Sequence, residues 1–225
     1  MRLFRRKIES DNSDTQRIEA LSDGIFAIAI TLLILEIHVP HLELSAPAHA
    51  LRAALRDLWP AGFAYVFSFV TVGIYWANHH YVFKLYKRVN HAFILLNLFF
   101  LMCISFLPVP TEVLGDYLID DNKRRIAVLF YNFALFLPAF AWSLSWIYAS
   151  CRKGLLDPRL EPSFVATLTR QYILSDVLYL ISIGLAAWNA WAGLALSVCL
   201  TFLYLLPPSA PRYRDDTSAG HAKSE

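Results

Sequence analysis

The chain has 225 residues, of which 57% are hydrophobic and only 17% are charged. A soluble domain carries about 25% charged residues, so this composition, with a mean hydropathy of +0.44, excludes an ordinary soluble protein and indicates a membrane protein. A net charge of +2 gives no basis for nucleic-acid binding.

Six apolar windows predict membrane-spanning helices, because a helix needs about 20 mostly apolar residues to cross a bilayer. The windows are residues 18–38, 58–78, 91–111, 126–150, 169–188 and 191–206. The uncharged run after Asp176 is too long for one crossing, and WNAWAG at residues 188–193 divides it. Backbone polar groups must be satisfied internally in lipid, so these runs are helices. The predicted fold is therefore an all-α integral membrane protein with one six-helix domain over residues 17–206.

The distribution of Lys and Arg predicts the orientation of the spans. Fifteen of these 20 residues lie before the first span, in the second-to-third and fourth-to-fifth loops, and after the last span. This bias places both termini in the cytoplasm and agrees with an even number of spans. Residues 1–16 are a predicted cytoplasmic tail. Residues 207–225, rich in Pro, Ser and charge, are a predicted disordered cytoplasmic tail.

Residues 71–75, TVGIY, are similar to the TVGYG filter of ordinary potassium channels. A carbonyl filter needs extended backbone that faces the axis and is preceded by a short pore helix. TVGIY has one glycine and lies near the inner end of an uninterrupted span. We predict an ordinary helix, no re-entrant filter loop, and a role for Gly73 in close packing.

The first span has an unusual stripe. On a wheel of about 100° per residue, seven residues fall within about 60° of Ile28, namely Arg17, Leu21, Gly24, Ile28 itself, Thr31, Leu32 and Leu35. Ser22 and Asp23 point away from it. The stripe is either a face that packs on helices or lipid, or the lining of a narrow hydrophobic pore to which Thr31 adds hydroxyls.

Several polar residues fall at the depth of Asp23 and form either one layer on the cytoplasmic side or separate, water-exposed helix ends: Ser22, Asp23, Asn78, His79, Asn97 and Asp176. Buried charges persist only when paired, and Arg17 and a histidine are the expected partners of Asp23. The layer leaves open a small secondary transporter or proton pathway that uses Asp23, His79 and Asp176, although no internal repeat is visible. A catalytic triad is disfavoured, because the adjacent residues Ser22 and Asp23 diverge on a helix.

The outer loop HVPHLELSAPAH, residues 38–49, has three histidines but no tight ligand spacing, so we predict no metal site there. The three cysteines, Cys103, Cys151 and Cys199, include no CxxC pair and predict neither a disulfide framework nor a zinc site.

Four segments together resemble the transmembrane protein 175 family of potassium-permeable channels, in its six-span prokaryotic form. They are RIEALSDG at residues 17–24, IFAIAITLLIL at 25–35, YWANHH at 75–80 and LLNLFFLMCISFLP at 95–108. Leu21 stands where the family prefers Phe. This difference removes an aromatic packing partner but no charged or hydrogen-bonding group. The resemblance covers the first three spans, about half of the chain.

The resemblance implies a weakly selective, potassium-permeable cation channel and not an enzyme. It implies a homotetramer whose first helices line a central pore. The protein would be a multi-pass protein of the prokaryotic inner or plasma membrane. Its partners would be membrane lipid and permeant potassium ions, and it would need no cofactor. It places a hydrophobic constriction at Ile28, Thr31 and Leu35. The signature residues Arg17, Ser22, Asp23 and Gly24, with His79, would brace the helices.

Overall fold

Eight α-helices and one 3-10 helix form the regular structure of residues 2–206 and 210–213, which are the residues that this computed structural model describes. The α-helices are α1 Arg2–Leu32, α2 Ala48–Asp57, α3 Trp59–Phe83, α4 His91–Phe106, α5 Pro108–Tyr117, α6 Arg124–Cys151, α7 Pro162–Trp188 and α8 Ala190–Tyr204. The 3-10 helix Leu33–Glu36 extends α1. Of the predicted C-terminal tail, residues 207–209 and 214–225 lie outside the described residues.

Five segments are long and apolar enough to cross a membrane, as judged by length and composition. They are Thr15–Glu36, Ala48–Phe83, His91–Tyr117, Arg124–Cys151 and Pro162–Trp188. The sixth apolar helix, α8, has only 15 residues. The predicted all-helical membrane architecture with six apolar helices is thus confirmed, with five candidate spans and one shorter helix.

Asparagines begin two of the helices. Asn90 accepts a hydrogen bond from the backbone N–H of Phe93 at the start of α4 (2.9 Å), and Asn189 accepts one from Ala192 at the start of α8 (3.1 Å). Each side chain satisfies a backbone donor that lacks a partner within its own helix. Asn189 is extended, which ends α7 and makes the WNAWAG break.

The core is centred on α6, which packs against α4, α5, α7 and α8. Tyr131 and Trp146 of α6 are almost completely buried there. By contrast, α1 packs against α3 and α4, at the edge of the bundle, and therefore has one face that its own chain leaves uncovered.

The α3–α4 and α6–α7 connections pair at one end of the bundle, which we call the loop-paired end. The backbone N–H of Lys87 donates to the carbonyl of Leu155 (2.7 Å), and that of Asp157 donates to Leu85 (2.9 Å). These bonds link the two connections and fix the relative positions of the helices that they join.

TVGIY lies inside α3, which runs through it without a break. The Thr71 hydroxyl donates to the Phe67 carbonyl one turn earlier (2.8 Å), as in an ordinary helix. The packing role predicted for Gly73 is wrong within the subunit, because a Cβ at that position would meet no atom of the described residues within 4 Å.

Candidate functional site

The two faces of α1 have different environments. Ser22, Phe26, Ala29 and Leu33 face the subunit and are at most 2% exposed. All seven residues of the predicted stripe lie on the opposite, exposed face: Arg17, Leu21, Gly24, Ile28, Thr31, Leu32 and Leu35. Ile28 is 61% exposed and Leu35, in the 3-10 helix, is 66% exposed. An apolar row of this length needs a covering of lipid or protein.

Next to the stripe lies an apolar groove between α1 and α4 with a volume of about 320 Å³. Ile28 and Leu32 form one wall, and Leu98 and Met102 of α4 form the other. The groove can therefore accept side chains from outside the subunit.

Thr31 is the polar residue in the apolar part of the stripe. Its hydroxyl donates to the carbonyl oxygens of Ala27 (3.0 Å) and Ile28 (2.9 Å) on its own helix. Because its hydrogen is directed to the backbone, the hydroxyl presents oxygen lone pairs to its surroundings. Such an oxygen suits a cation better than an anion.

A directed chain of hydrogen bonds joins the buried side of α1 to α4 and α3. The Asn97 amide donates to the Ser22 hydroxyl (3.1 Å), which donates to the carbonyl of Ile18 (2.8 Å). The Asn97 carbonyl oxygen is 3.1 Å from Nε2 of His79, so Nε2 carries the hydrogen and donates. Ser22, Asn97 and His79 are each at most 4% exposed, so these bonds hold three helices together without access to water.

The His79 ring is enclosed by aromatic side chains. It stacks on Phe83 at 4.0 Å between centroids and meets Phe26 edge-on at 5.6 Å. Its Nδ1 is buried and has no hydrogen-bond partner among the residues that the structure describes. The position of His79 therefore depends on aromatic contacts and on one hydrogen bond.

A second set of contacts joins α1 and α3 one turn apart. Trp76 donates from Nε1 to a carboxylate oxygen of Asp23 (3.0 Å), and His80 Nδ1 lies 2.9 Å from a carboxylate oxygen of Glu19. The spacing is four residues on each helix, and the order is antiparallel. The prediction that Arg17 or a histidine pairs with Asp23 is corrected here: the hydrogen-bond partner is Trp76, and Arg17 is exposed.

The predicted polar layer divides into two groups. Ser22, Asn97 and His79 come together, with Asp23 close by. Asn78 lines a different cavity, among α3, α6, α7 and α8, and Asp176 of α7 takes no part in the hydrogen bonds of the first group. The sequence analysis did not predict the Glu19–His80 pair. The signal that could have indicated it is the spacing of four residues from Glu19 to Asp23 on α1, which matches the spacing from Trp76 to His80 on α3.

At the opposite end of the bundle, His38 Nε2 lies 3.8 Å from a carboxylate oxygen of Glu112, and His41 Nδ1 lies 3.0 Å from the carbonyl of Val39. Among the described residues, no group of three or more His, Cys, Asp or Glu side chains is placed to hold a metal.

Comparison with known proteins identifies relatives of this sequence. Residues 17–108 match the family described as endosomal/lysosomal potassium channel TMEM175. The chain is 36% identical over 200 residues to a potassium channel of Chamaesiphon minutus, covering 89% of this chain and 98% of that protein. It is 38% identical over 192 residues to a potassium channel of Streptomyces collinus, covering 85% and 92%.

The fold also has a close structural counterpart. It is similar to the crystal structure of a lysosomal potassium-selective channel TMEM175 homolog from Chamaesiphon minutus, with a TM-score of 0.76 and 35% identity. The match covers 86% of this chain and 97% of that one, so the likeness extends well beyond the half of the chain that carries the motifs.

Proposed function

Because the chain belongs to the TMEM175 family, which is a family of ion channels and not of enzymes, we propose that it conducts potassium and other monovalent cations across a membrane. The conducting unit is a homotetramer with α1 of each subunit at the central axis. Ile28, Thr31 and Leu35 form the constriction. Both termini, and hence the loop-paired end, lie on the cytoplasmic side.

The observation that carries the proposal is the uncovered face of α1. The stripe that the helical wheel identifies, and that the family resemblance places at a pore, is the face that a single subunit leaves exposed. Head-to-tail contacts between identical subunits close into rings. In such a ring the groove between α1 and α4 accepts side chains of a neighbouring subunit, and the stripe faces the axis.

The proposed constriction selects by dehydration. Branched apolar side chains at Ile28 and Leu35 offer no ligand to an ion, so a narrow ring of them holds few water molecules. An ion that holds its hydration shell loosely, such as potassium, crosses this ring more easily than sodium does. Thr31 lies between the two rings, and its oxygen lone pairs stabilise the cation between them.

The hydrogen-bonded residues have a positioning role in this mechanism. The hydrogen bonds among Ser22, Asn97 and His79 set the rotation of α1 about its own axis. The contact between Asp23 and Trp76 sets the position of α1 along α3. Gly24 and Arg17 lie on the exposed stripe near the loop-paired end, where Gly24 widens the entrance.

The substitution Ile28→Asn tests the constriction. It places an amide in the apolar ring, so the ring becomes hydrated and the sodium-to-potassium permeability ratio rises. The ratio is measured from reversal potentials of the purified protein in planar bilayers. Ile181→Asn on α7 is the matched control, since Ile181 is 47% exposed but lies away from the stripe. If the permeability ratio of Ile28→Asn is unchanged, Ile28 does not form the constriction. If the unaltered protein shows no cation conductance, the proposed function is wrong.

Cross-linking tests the assembly separately. In a background where Cys103, Cys151 and Cys199 are replaced by alanine, Ile28→Cys is expected to form disulfide-linked dimers under mild oxidation, because copies of Ile28 meet at the axis. Ile181→Cys is expected to remain monomeric on denaturing gels. Monomeric Ile28→Cys under oxidation contradicts the placement of α1 at the axis.

A further inference from the structure

Four basic residues come together at the loop-paired end, on the two connections that backbone hydrogen bonds join. Lys84 and Lys87 belong to the α3–α4 connection, Arg152 and Lys153 belong to the α6–α7 connection, and all four are exposed. The backbone N–H of Lys87 donates to the carbonyl of Leu155 (2.7 Å), two residues after Lys153. These bonds hold the two pairs of basic residues side by side, and we call the four residues the basic patch.

The positive charge of the basic patch is not balanced within the described part of the chain. Residues 81–91 and 148–156 contain no Asp or Glu. The next carboxylate along the chain, that of Asp157, is held by Arg159, whose guanidinium lies 2.7 Å from it. No residue of the basic patch forms an ion pair with any residue that the structure describes. The rule that enriches cytoplasmic loops in Lys and Arg explains why such residues are present, but it does not explain why two loops are joined so that their charges converge.

Arg152 connects the basic patch to the ends of the spanning helices. Its guanidinium lies over the ring of Tyr148, 5.5 Å from the centroid, and the Asn90 amide donates to the Tyr148 hydroxyl (3.0 Å). Asn90 in turn begins α4, and the apolar segments of α3, α4 and α6 all end or begin here. Because Tyr is typical of the boundary between lipid and water, we place the basic patch at the level of the lipid head groups.

We infer that the basic patch binds the phosphate groups of anionic phospholipids in the leaflet that the loop-paired end faces. Clusters of about four or more Lys and Arg directly beyond a spanning helix attract anionic head groups. A zwitterionic head group carries an ammonium group that offsets its phosphate, and therefore fits the basic patch less well. A soluble acidic protein would also match the charge, but lipid head groups are already present at this level around the whole protein.

The test measures lipid binding to the full chain in neutral detergent micelles, by native mass spectrometry with increasing amounts of lipid. The probes are phosphatidylglycerol and phosphatidylcholine with the same acyl chains, so that only the head groups differ. We expect phosphatidylglycerol to bind at least about tenfold more tightly, since each Lys or Arg near anionic head groups contributes about fivefold in affinity. This preference should fall as ammonium acetate is raised from about 0.05 to 0.5 M, because salt screens exposed charges.

A triple variant of the basic patch locates the site. Lys87→Gln, Arg152→Gln and Lys153→Gln together are expected to lower the affinity for phosphatidylglycerol at least about tenfold. Lys153→Gln alone is expected to lower it about fivefold. The single variant keeps the test valid if the triple variant does not fold, because the Lys153 side chain has no hydrogen bond or ion pair with the described residues.

The matched control loses the same charge at the opposite end of the bundle. Arg52, Arg56 and Arg125 are exposed there, and their combined replacement by Gln is expected to leave the preference for phosphatidylglycerol unchanged. This comparison separates binding at the basic patch from an effect of the net charge of the protein.

Several results overturn the inference: equal binding of the two lipids, equal losses in the two triple variants, or unchanged affinity in the basic-patch variants. Equal binding of the two lipids would leave the basic patch to a soluble acidic partner. Release of phosphatidylglycerol by inorganic phosphate, at an ionic strength matched with acetate, would indicate a site for free phosphate instead of lipid. Because binding is measured without ion flow, its outcome is independent of whether the protein conducts potassium.

Discussion

Replacing Asn97 by leucine is expected to destabilise the protein by about 2–4 kcal/mol, although the two side chains are similar in volume. The substitution removes two hydrogen bonds, one to Ser22 and one from His79, both of 3.1 Å. Each bond contributes about 0.6–1 kcal/mol net. Ser22 keeps its bond to the Ile18 carbonyl, so only His79 is left with a buried, unpaired donor, which costs a further 1–2 kcal/mol or so.

The assay is unfolding of the protein in detergent micelles, followed by tryptophan fluorescence, on Asn97→Leu, His79→Phe and the double variant. Phe replaces the His79 ring within the same aromatic enclosure and has no polar group. The double variant is therefore expected to be more stable than the sum of the single effects allows, with a coupling of about 1–2 kcal/mol. Ser105→Ala is the control on α4, because the Ser105 hydroxyl is exposed and bonds only within its own helix.

Two results would refute this reasoning. A loss below about 0.5 kcal/mol for Asn97→Leu would put the substitution in the range of ordinary surface changes. Strict additivity in the double variant would show that His79 and Asn97 do not act on each other. Either result would mean that the buried bonds of Asn97 do not set the rotation of α1, which would then depend on apolar packing and on the contacts of Asp23 and Glu19 with α3.

Two further predictions concern other contacts. Gly193→Ala is expected to lower the free energy of unfolding by about 1–3 kcal/mol, because the new Cβ would lie 2.5 Å from Cβ of Ala186 and 2.6 Å from the Ala186 backbone. The control is Gly73→Ala, whose Cβ meets no described atom within 4 Å and whose free energy of unfolding should stay within about 0.5 kcal/mol of that of the unaltered protein. Equal losses in the two variants would contradict the close approach of Gly193 to Ala186. The hydrogen bonds from Arg159 lower the pKa of Asp157, so this carboxylate stabilises the fold above its unfolded pKa of about 3.9, and the effect is lost as pH falls through the folded value. The melting temperature of Asp157→Asn should be below that of the unaltered protein at neutral pH, and the difference should shrink as pH falls below about 3.9. A difference that stays constant over this range would contradict the assignment.

The helical architecture could be predicted from the sequence because lipid leaves few alternatives for an apolar run. The apolar windows thus predict an all-helical membrane domain, and the WNAWAG break at residues 188–193 predicts the boundary between α7 and α8. The exposed stripe on α1 also follows from sequence, since the face opposite Ser22 is fixed by the helical period. These features depend on one helix at a time.

The partners of individual polar residues could not be predicted in the same way. Asp23 meets Trp76 rather than Arg17 because the partner depends on how α1 and α3 are rotated and aligned. Hydropathy carries no information on either quantity. Asp176 and Asp23 have the same predicted depth, yet Asp176 lies on α7 and takes no part in the contacts of Asp23, since depth does not determine which side of a helix faces which neighbour.

The polar contacts of α1 are concentrated at its loop-paired half, where Glu19, Ser22 and Asp23 meet α3 and α4. Beyond them the buried face of α1 is apolar, and in lipid no hydrophobic driving force distinguishes this face from the apolar face opposite. A slip of one residue at Ser22 would turn α1 by about 100° and bring Ala27 or Ala29 to the place of Ile28. Directed hydrogen bonds at Ser22 therefore specify which side chains form the proposed constriction, whose first ring, at Ile28, begins about one and a half turns beyond Asp23.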